Sequence, residues 1–313
     1  EVILALYHQY GTDAFIEKIR GMFALALWDE KDQALIAARD RFGEKPLYYG
    51  WQGDSFLFGS ELKALKSHPH FLNEIDSNAL GLYLQYNYVP TPLSIYKDIS
   101  KLTPGCILSV SLENKAVCIS TYWSAIDTMI NGKRNPFQGS VTEAIDETEN
   151  VLKQAVQSQL LADVPLGAFL SGGIDSSLIV SLMSAVSSTP VNTFTIGFDE
   201  NGFNEAVYAK KIADHLGTNH TELYVNPKDC FDVISLLGSM YDEPFADSSQ
   251  IPTYLVSKLA AGSVKVALSG DGGDELFGGY NRYFFAEKIW NNLRFIPKPL
   301  SKGLYSSISK LNT

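Results

Sequence analysis

Apolar positions along the chain fall into two regimes. Up to about residue 125 they form short runs at Met22–Trp28, Ala34–Ala38, Leu47–Tyr49 and Phe56–Phe58. Polar turn sequences separate them: Asp29-Glu30-Lys31-Asp32, Gly43-Glu44-Lys45-Pro46 and Gln52-Gly53-Asp54. Such spacing predicts antiparallel hairpins. Ile3, Leu6, Tyr7 and Tyr10 recur at helical spacing, and a second helical stretch is expected near Ala79–Tyr86. Two further strands are expected at Ile107–Leu112 and Ala116–Ile119, joined through Glu113-Asn114-Lys115. The first regime reads as an α+β layer.

The period changes after a polar stretch, Asp127–Ser140, which reads as a linker. Val141, Ile145, Leu152, Val156 and Leu160 place apolar side chains on one helical face. Ser140, followed three residues later by Glu143, matches a capping box. Strands then alternate with helices: Leu166–Leu170 and a helix from about Ser176; Asn192–Phe198 and a helix over Glu205–Leu216; Thr221–Val225 and a helix; Val264–Leu268 and another. This alternation predicts an α/β, doubly wound parallel sheet. The expected organisation is therefore a first domain over 1–125, a linker over 126–140 and a second domain over 141–313.

Composition narrows the function. The chain has 313 residues, 45% of them hydrophobic and 19% charged, enough for two buried cores. A formal net charge of −10 argues against sequence-wide attraction to nucleic acid or an anionic membrane surface. The longest apolar run is far shorter than a bilayer span. Three widely spaced cysteines suit a reducing, cytoplasmic setting, and the five histidines show no metal-binding spacing. The chain opens on Glu1 inside a helical pattern and ends at Thr313 soon after an aromatic segment, so it is expected to be part of a longer protein.

Candidate chemistry sits in two loops that follow predicted strands. Ser171-Gly172-Gly173-Ile174-Asp175-Ser176-Ser177 precedes a helix. Its glycines allow close backbone approach to an anion, the helix start offers free N–H groups, and the serines add hydroxyls. No Walker-type lysine is present. An aspartate inside an anion cradle calls for a divalent cation, which makes Asp175 a candidate Mg²⁺ ligand. A plain glycine-rich turn capped by Asp175 is the alternative, and it leaves the serines without a task. The second loop, Ser269-Gly270-Asp271-Gly272-Gly273-Asp274-Glu275, is acidic and glycine-rich. Alone it could be a solvated turn; at the carboxyl end of a strand in the same sheet it should face the same crevice. Asp274 could complete a metal site and Asp271 could act as a base.

These residues carry a resemblance. The SGGIDSS loop resembles the pyrophosphate loop of N-type ATP pyrophosphatases. With SGDGGDELFGGY and DEPFADSS, it resembles the glutamine-hydrolysing asparagine synthetases. GMFALALWDE, LIAARDRFGEKPLYYG and FGSELKALKSHP resemble the later part of that family's class-II glutaminase domain, an N-terminal-nucleophile layer. The resemblance implies ATP and Mg²⁺ as cofactors and aspartate and glutamine, or ammonia, as small-molecule substrates. The implied ligase joins the β-carboxylate of aspartate to AMP, releases pyrophosphate, and lets ammonia displace AMP. It also suggests a homodimer.

Carried over by motif, Ser171, Gly172, Gly173, Asp175, Ser176 and Ser177 match the pyrophosphate loop. Leu170 and Ile196 match adenosine contacts, and Ser269 and Gly270 match the next nucleotide-contacting pair. Asp175 and Asp274 match metal ligands. Asp271 falls where the family often carries a glutamate proposed to deprotonate the ammonia. Asp247 and Ser248 of Asp242–Ser249 should line the acceptor pocket, although Asp and Ser also commonly cap helices. The family's glutaminase nucleophile is an N-terminal cysteine, and none of Cys106, Cys118 and Cys230 holds that position. As it stands the chain is expected to lack glutaminase activity. Two alternatives stay open: a related enzyme that adenylates another carboxylate, of the polysaccharide-modifying or β-lactam-forming kind, and a nucleotide-binding module without catalysis.

Overall fold

The computed structural model describes residues 1–198 and 204–294; the end of the expected second domain, 295–313, lies outside the described residues. The chain forms two units. One comprises Glu1–Ala144 with Phe231–Gln250; the other comprises Ile145–Cys230 and Ile251 onward.

The first unit holds two antiparallel sheets. Strands β1 (Ala24–Asp29), β2 (Ala34–Arg39), β6 (Cys106–Ser111) and β7 (Val117–Thr121) lie in the order β1-β2-β6-β7. Strands β3 (Tyr48–Gln52), β4 (Ser55–Gly59) and β5 (Ser100–Lys101) form the other, ordered β4-β3-β5. Strand β2 shows why an uninterrupted apolar run serves here. Its Leu35 and Ala37 pack with Leu47, Leu102, Leu108 and Val110, whereas Ile36 and Ala38 pack with Phe15, Ile16 and Ile107. Both faces are covered, so alternation with polar residues is not needed. A third cluster, around Tyr48, Leu62, Leu65, Phe71 and Ile95, fills the space under the β3 sheet.

The stretch read as a linker is partly helical. Residues Ala125–Arg134 form a helix with Ser124 as its cap, its Oγ accepting the Asp127 N–H at 3.2 Å. The helix buries no side chain, although Ile126, Met129 and Ile130 recur along it at helical spacing. At Ser140 the reciprocal capping bonds are present: Glu143 N–H to Ser140 Oγ at 3.3 Å and Ser140 N–H to Glu143 Oε2 at 2.7 Å. Helix Val141–Gln159 follows.

The second unit is built on four parallel strands, β8 (Leu166–Phe169), β9 (Asn192–Phe198), β10 (Asn219–Val225) and β11 (Val266–Leu268), ordered β10-β9-β8-β11. Helices cover both faces. Ala168 and Leu170 pack with Val156, Val180, Met183, Ala209 and Ala213 on one side. Phe169 and Phe194 meet Val256, Leu259 and Ala260 of helix Gln250–Ala261 on the other. From β8 the chain steps outward through β9 to β10, then returns to place β11 on the opposite flank of β8. The strand order therefore reverses between β8 and β11, and ligand crevices of open α/β sheets form at such a point.

Candidate active site

The loops after β8 and β11 meet at this switch point. A Cβ on Gly270 would lie 2.6 Å from the Ser176 backbone nitrogen and 2.8 Å from the Asp175 carbonyl carbon. A Cβ on Gly273 would lie 2.5 Å from the Asp175 carboxylate. The glycines of the second loop are thus what lets its backbone lie against the first. Gly172 has φ 84, in the region that favours glycine, and a Cβ there would come within 2.8 Å of the Ala209 nitrogen in helix Ala206–Leu216. The sharp turn presses the loop against that helix while aiming the start of helix Ile174–Val186 outward.

The serine hydroxyls hold the loop's shape. Ser176 Oγ accepts the Ser171 N–H at 3.2 Å and lies 3.0 Å from Ser171 Oγ. Ser171 Oγ in turn accepts the Gly173 N–H at 3.2 Å, and Ser177 Oγ donates to the Gly173 carbonyl at 2.5 Å. The backbone N–H groups of Ile174, Asp175 and Ser176, in the first turn of a 13-residue helix, have no intrahelical acceptor. Oriented amides at the positive end of the helix dipole are suited to anionic oxygens.

Beside this cradle lies a cavity of about 390 Å³ over the ends of β8 and β9. It brings together Leu170, Ser171 and Ile196 with Thr195, Phe198 and Thr253. Thr195 Oγ1 donates to the Leu170 carbonyl, fixing the edge of the cavity. The cavity is lined mainly by apolar side chains and shares Leu170 and Ser171 with the strand-to-helix turn.

In the second loop Ser269 Oγ donates to Asp271 Oδ2 at 3.0 Å and accepts the Asp271 N–H at 3.4 Å, so the Asp271 side chain is folded against its own turn and exposed. Asp274 lies against Gly279. Glu275 accepts the Tyr280 hydroxyl at 2.8 Å, and that bond holds its carboxyl below the ordinary carboxylate range. Among the described residues no group of three or more His, Cys, Asp or Glu side chains gathers at a metal-binding spacing. Asp175 and Asp274 supply hard oxygen donors, which fits Mg²⁺, an ion bound through one or two carboxylates with substrate phosphates and water completing its shell.

Asp247 and Ser248 lie in the part of the chain that folds with the first unit. Asp247 Oδ1 accepts the Ser249 N–H at 2.8 Å, which lowers the Asp247 carboxyl and shapes the turn into helix Gln250–Ala261. Asp242 and Glu243 of the same segment turn their carboxylates onto residues 48, 62, 63, 95 and 101. Their partners are more than a hundred residues distant in sequence, and no local pattern signals them.

The chain is similar in sequence to known proteins over most of its length. The sequence model described as asparagine synthase matches residues 147–312, just over half of the chain, and that of a glutamine amidotransferase domain matches residues 1–123. A protein of Methanocaldococcus jannaschii named putative asparagine synthetase [glutamine-hydrolyzing] 2 is 37% identical over 302 residues, 95% of this chain and 56% of that protein. Asparagine synthetase [glutamine-hydrolyzing] 1 of Bacillus subtilis is 38% identical over 283 residues, covering 90% of this chain and 43% of the relative. The chain spans about half the length of these curated relatives. No helix among the described residues is long and apolar enough to cross a membrane. With an amide-lined cradle at the switch point of a parallel sheet and a matched amidotransferase segment ahead of it, the chain belongs to the asparagine synthase family.

Proposed function

We propose that the whole protein is an ATP-dependent ligase that amidates aspartate to asparagine through a β-aspartyl-AMP intermediate, with ammonia drawn from glutamine. The observation that carries this reading is the meeting of the two glycine loops, where Gly270 and Gly273 lie against Asp175 and Ser176. The amides of residues 174–176 hold the β- and γ-phosphates, and Leu170 and Ile196 seat the adenosine. The α-phosphorus is then left open to an attacking carboxylate. Asp175 and Asp274 would hold Mg²⁺, which when bound would supply charge neutralisation to the leaving pyrophosphate. Ser269 and Gly270 close the nucleotide side. Asp271, released from Ser269, takes a proton from the ammonia as it displaces AMP. Asp247 and Ser248 orient the acceptor. The protein acts in the cytoplasm, as a homodimer, without nucleic acid or membrane partners.

The test uses the full-length protein with ATP, Mg²⁺, ammonium and a panel of carboxylic acids, following AMP and pyrophosphate. Release stimulated by aspartate, with asparagine formed in equal amount, supports the proposal. Preference for another acid overturns the substrate assignment and favours the related carboxylate-adenylating activity. ATP binding without AMP release from any acid overturns the catalytic reading.

A further inference from the structure

Residues Phe231–Gln250 lie inside the stretch matched by the asparagine synthase family, yet they fold with the first unit. Their last part is fastened there from several directions. The Glu243 carboxylate meets Lys101 Nζ at 2.5 Å, accepts the Ile95 N–H at 2.8 Å and lies 3.4 Å from the donating Tyr48 hydroxyl. The two ionic side chains are only 14% and 11% exposed. Asp242 accepts the N–H groups of Leu62 at 2.7 Å and Lys63 at 3.3 Å. Lys63 Nζ donates to the carbonyls of Ser239 and Met240, the last turn of helix Pro227–Met240. The Ala246 N–H reaches the Asn87 carbonyl at 2.8 Å.

The fastenings stop at residue 246. Asp247 closes its own turn, and the helix that begins at Gln250 contributes Pro252, Thr253 and Val256 to the cavity over β8 and β9. A nearly buried ion pair is a poor source of net stability, because desolvating two charges offsets most of their attraction. Its distinguishing property is geometric, since an ammonium, an amide and a phenol converge on one carboxylate and fix its place. A pair serving stability alone has no reason to sit at the end of the chain segment that leads into the acceptor residues.

We propose that Glu243 is a positioning residue. Clasped by Lys101, Tyr48 and Ile95, it holds residues 242–246 as a strap that sets the placement of Asp247 and Ser248, and thereby the affinity for the acceptor carboxylate. This rests on the acceptor-binding reading of Asp247 and Ser248.

The experiment compares full-length wild type, Glu243→Gln, Lys101→Met and Lys101→Arg. It measures ammonium-driven pyrophosphate release against aspartate concentration, glutamate release from glutamine, and amide hydrogen exchange. Both neutralised variants should raise the aspartate KM roughly tenfold or more, because small misplacements of binding groups are costly. They should leave kcat within about threefold and glutaminase turnover within about twofold, the signature of lost binding rather than lost chemistry. Lys101→Arg, which keeps the charge and the donors, should restore most of the KM. Amides of residues 241–249 should exchange roughly tenfold faster in the neutralised variants, as local opening becomes easier. Unchanged KM, or unchanged exchange over 241–249, overturns the proposal. So does glutaminase activity lost in step with ligase activity, which is the mark of a general structural role. If a neutralised variant does not fold, Lys63→Ala loosens the strap from the exposed side and should show the same pattern at a smaller scale. Should wild type release no pyrophosphate with aspartate, the ligase reading fails on its own, and the exchange measurement still decides the strap.

Discussion

Substituting Gly270 by alanine tests whether the two loops must touch. Gly270 does not occupy the left-handed region, so alanine meets no backbone strain there and the substitution is a matter of space alone. The added Cβ would lie 2.6 Å from the Ser176 nitrogen, whereas ordinary contact begins at 3.4 Å. Its neighbours are backbone atoms in the first turn of helix Ile174–Val186, which cannot rotate aside as a flexible side chain would. One loop must retreat by about 0.8 Å, and overpacking of this kind costs roughly 1–3 kcal/mol. On the proposed reading the two loops hold one substrate, and a shift approaching 1 Å between such groups can lower turnover on the order of a hundredfold. Urea unfolding of the full-length protein and pyrophosphate release with aspartate and ammonium measure the two effects. Gly270→Ala should lose stability by about 1–3 kcal/mol and activity by about two orders of magnitude. Activity within about twofold of wild type, in a folded protein, would refute the idea that close apposition of these loops builds the site.

Gly132 lies inside helix Ala125–Arg134 with open space around it, so Gly132→Ala should raise the stability of the first unit by about 1 kcal/mol in urea titrations. Burial pushes the Tyr122 phenol up to about 12, from an ordinary value near 10, while its hydroxyl donates to the Arg39 carbonyl at 2.8 Å. The unfolded chain releases that proton first, so this contribution is intact below pH 10 and is lost as pH rises through 12; Tyr122→Phe should flatten the alkaline fall, and pH-dependent unfolding will show it. Burial lowers the basicity of His220 below its ordinary 6.5, outweighing the attraction of Glu222 at 3.7 Å, and Nδ1 is engaged with Thr193 Oγ1 at 2.9 Å. The unfolded histidine takes up a proton more readily, so stability should decline as pH drops below 6.5, and His220→Gln should weaken that dependence in the same titrations.

Much of the architecture is legible because its signals are local. The apolar run of β2, the serine and glutamate of the capping box, and the strand–helix alternation after residue 160 each reflect neighbours within a few positions. The strand-to-helix turn over residues 171–177 is legible for the same reason, as its glycines, serines and helix start are contiguous. Strand β5 is two residues long and leaves no period to read. Helix Ala125–Arg134 carries Ile126, Met129 and Ile130 at helical spacing, a short signal masked by the turn-like Asn131-Gly132-Lys133-Arg134-Asn135-Pro136 that follows. The strap is hidden for another reason. Asp242 and Glu243 look like open carboxylates in sequence, while the amides and ammonium that engage them come from residues 62, 95 and 101. That the loops after β8 and β11 would share one crevice followed from their common sheet; that Gly273 would press on the Asp175 carboxylate did not.

The placement of Phe231–Gln250 bears on how such proteins can be divided or recombined. The polypeptide passes from one unit to the other after Ala144, again after Cys230 and once more after Gln250, so no single cut in the gene separates them. A recombinant first half ending at Ala144 would leave Lys101 and the amide of Ile95 without the carboxylate they hold. A second half expressed alone would carry that carboxylate as an exposed, unanchored charge. Chimeras that exchange amidotransferase halves between relatives should therefore fare better when residues 231–250 travel with the first 144, a crossover rule written by connectivity rather than by sequence similarity.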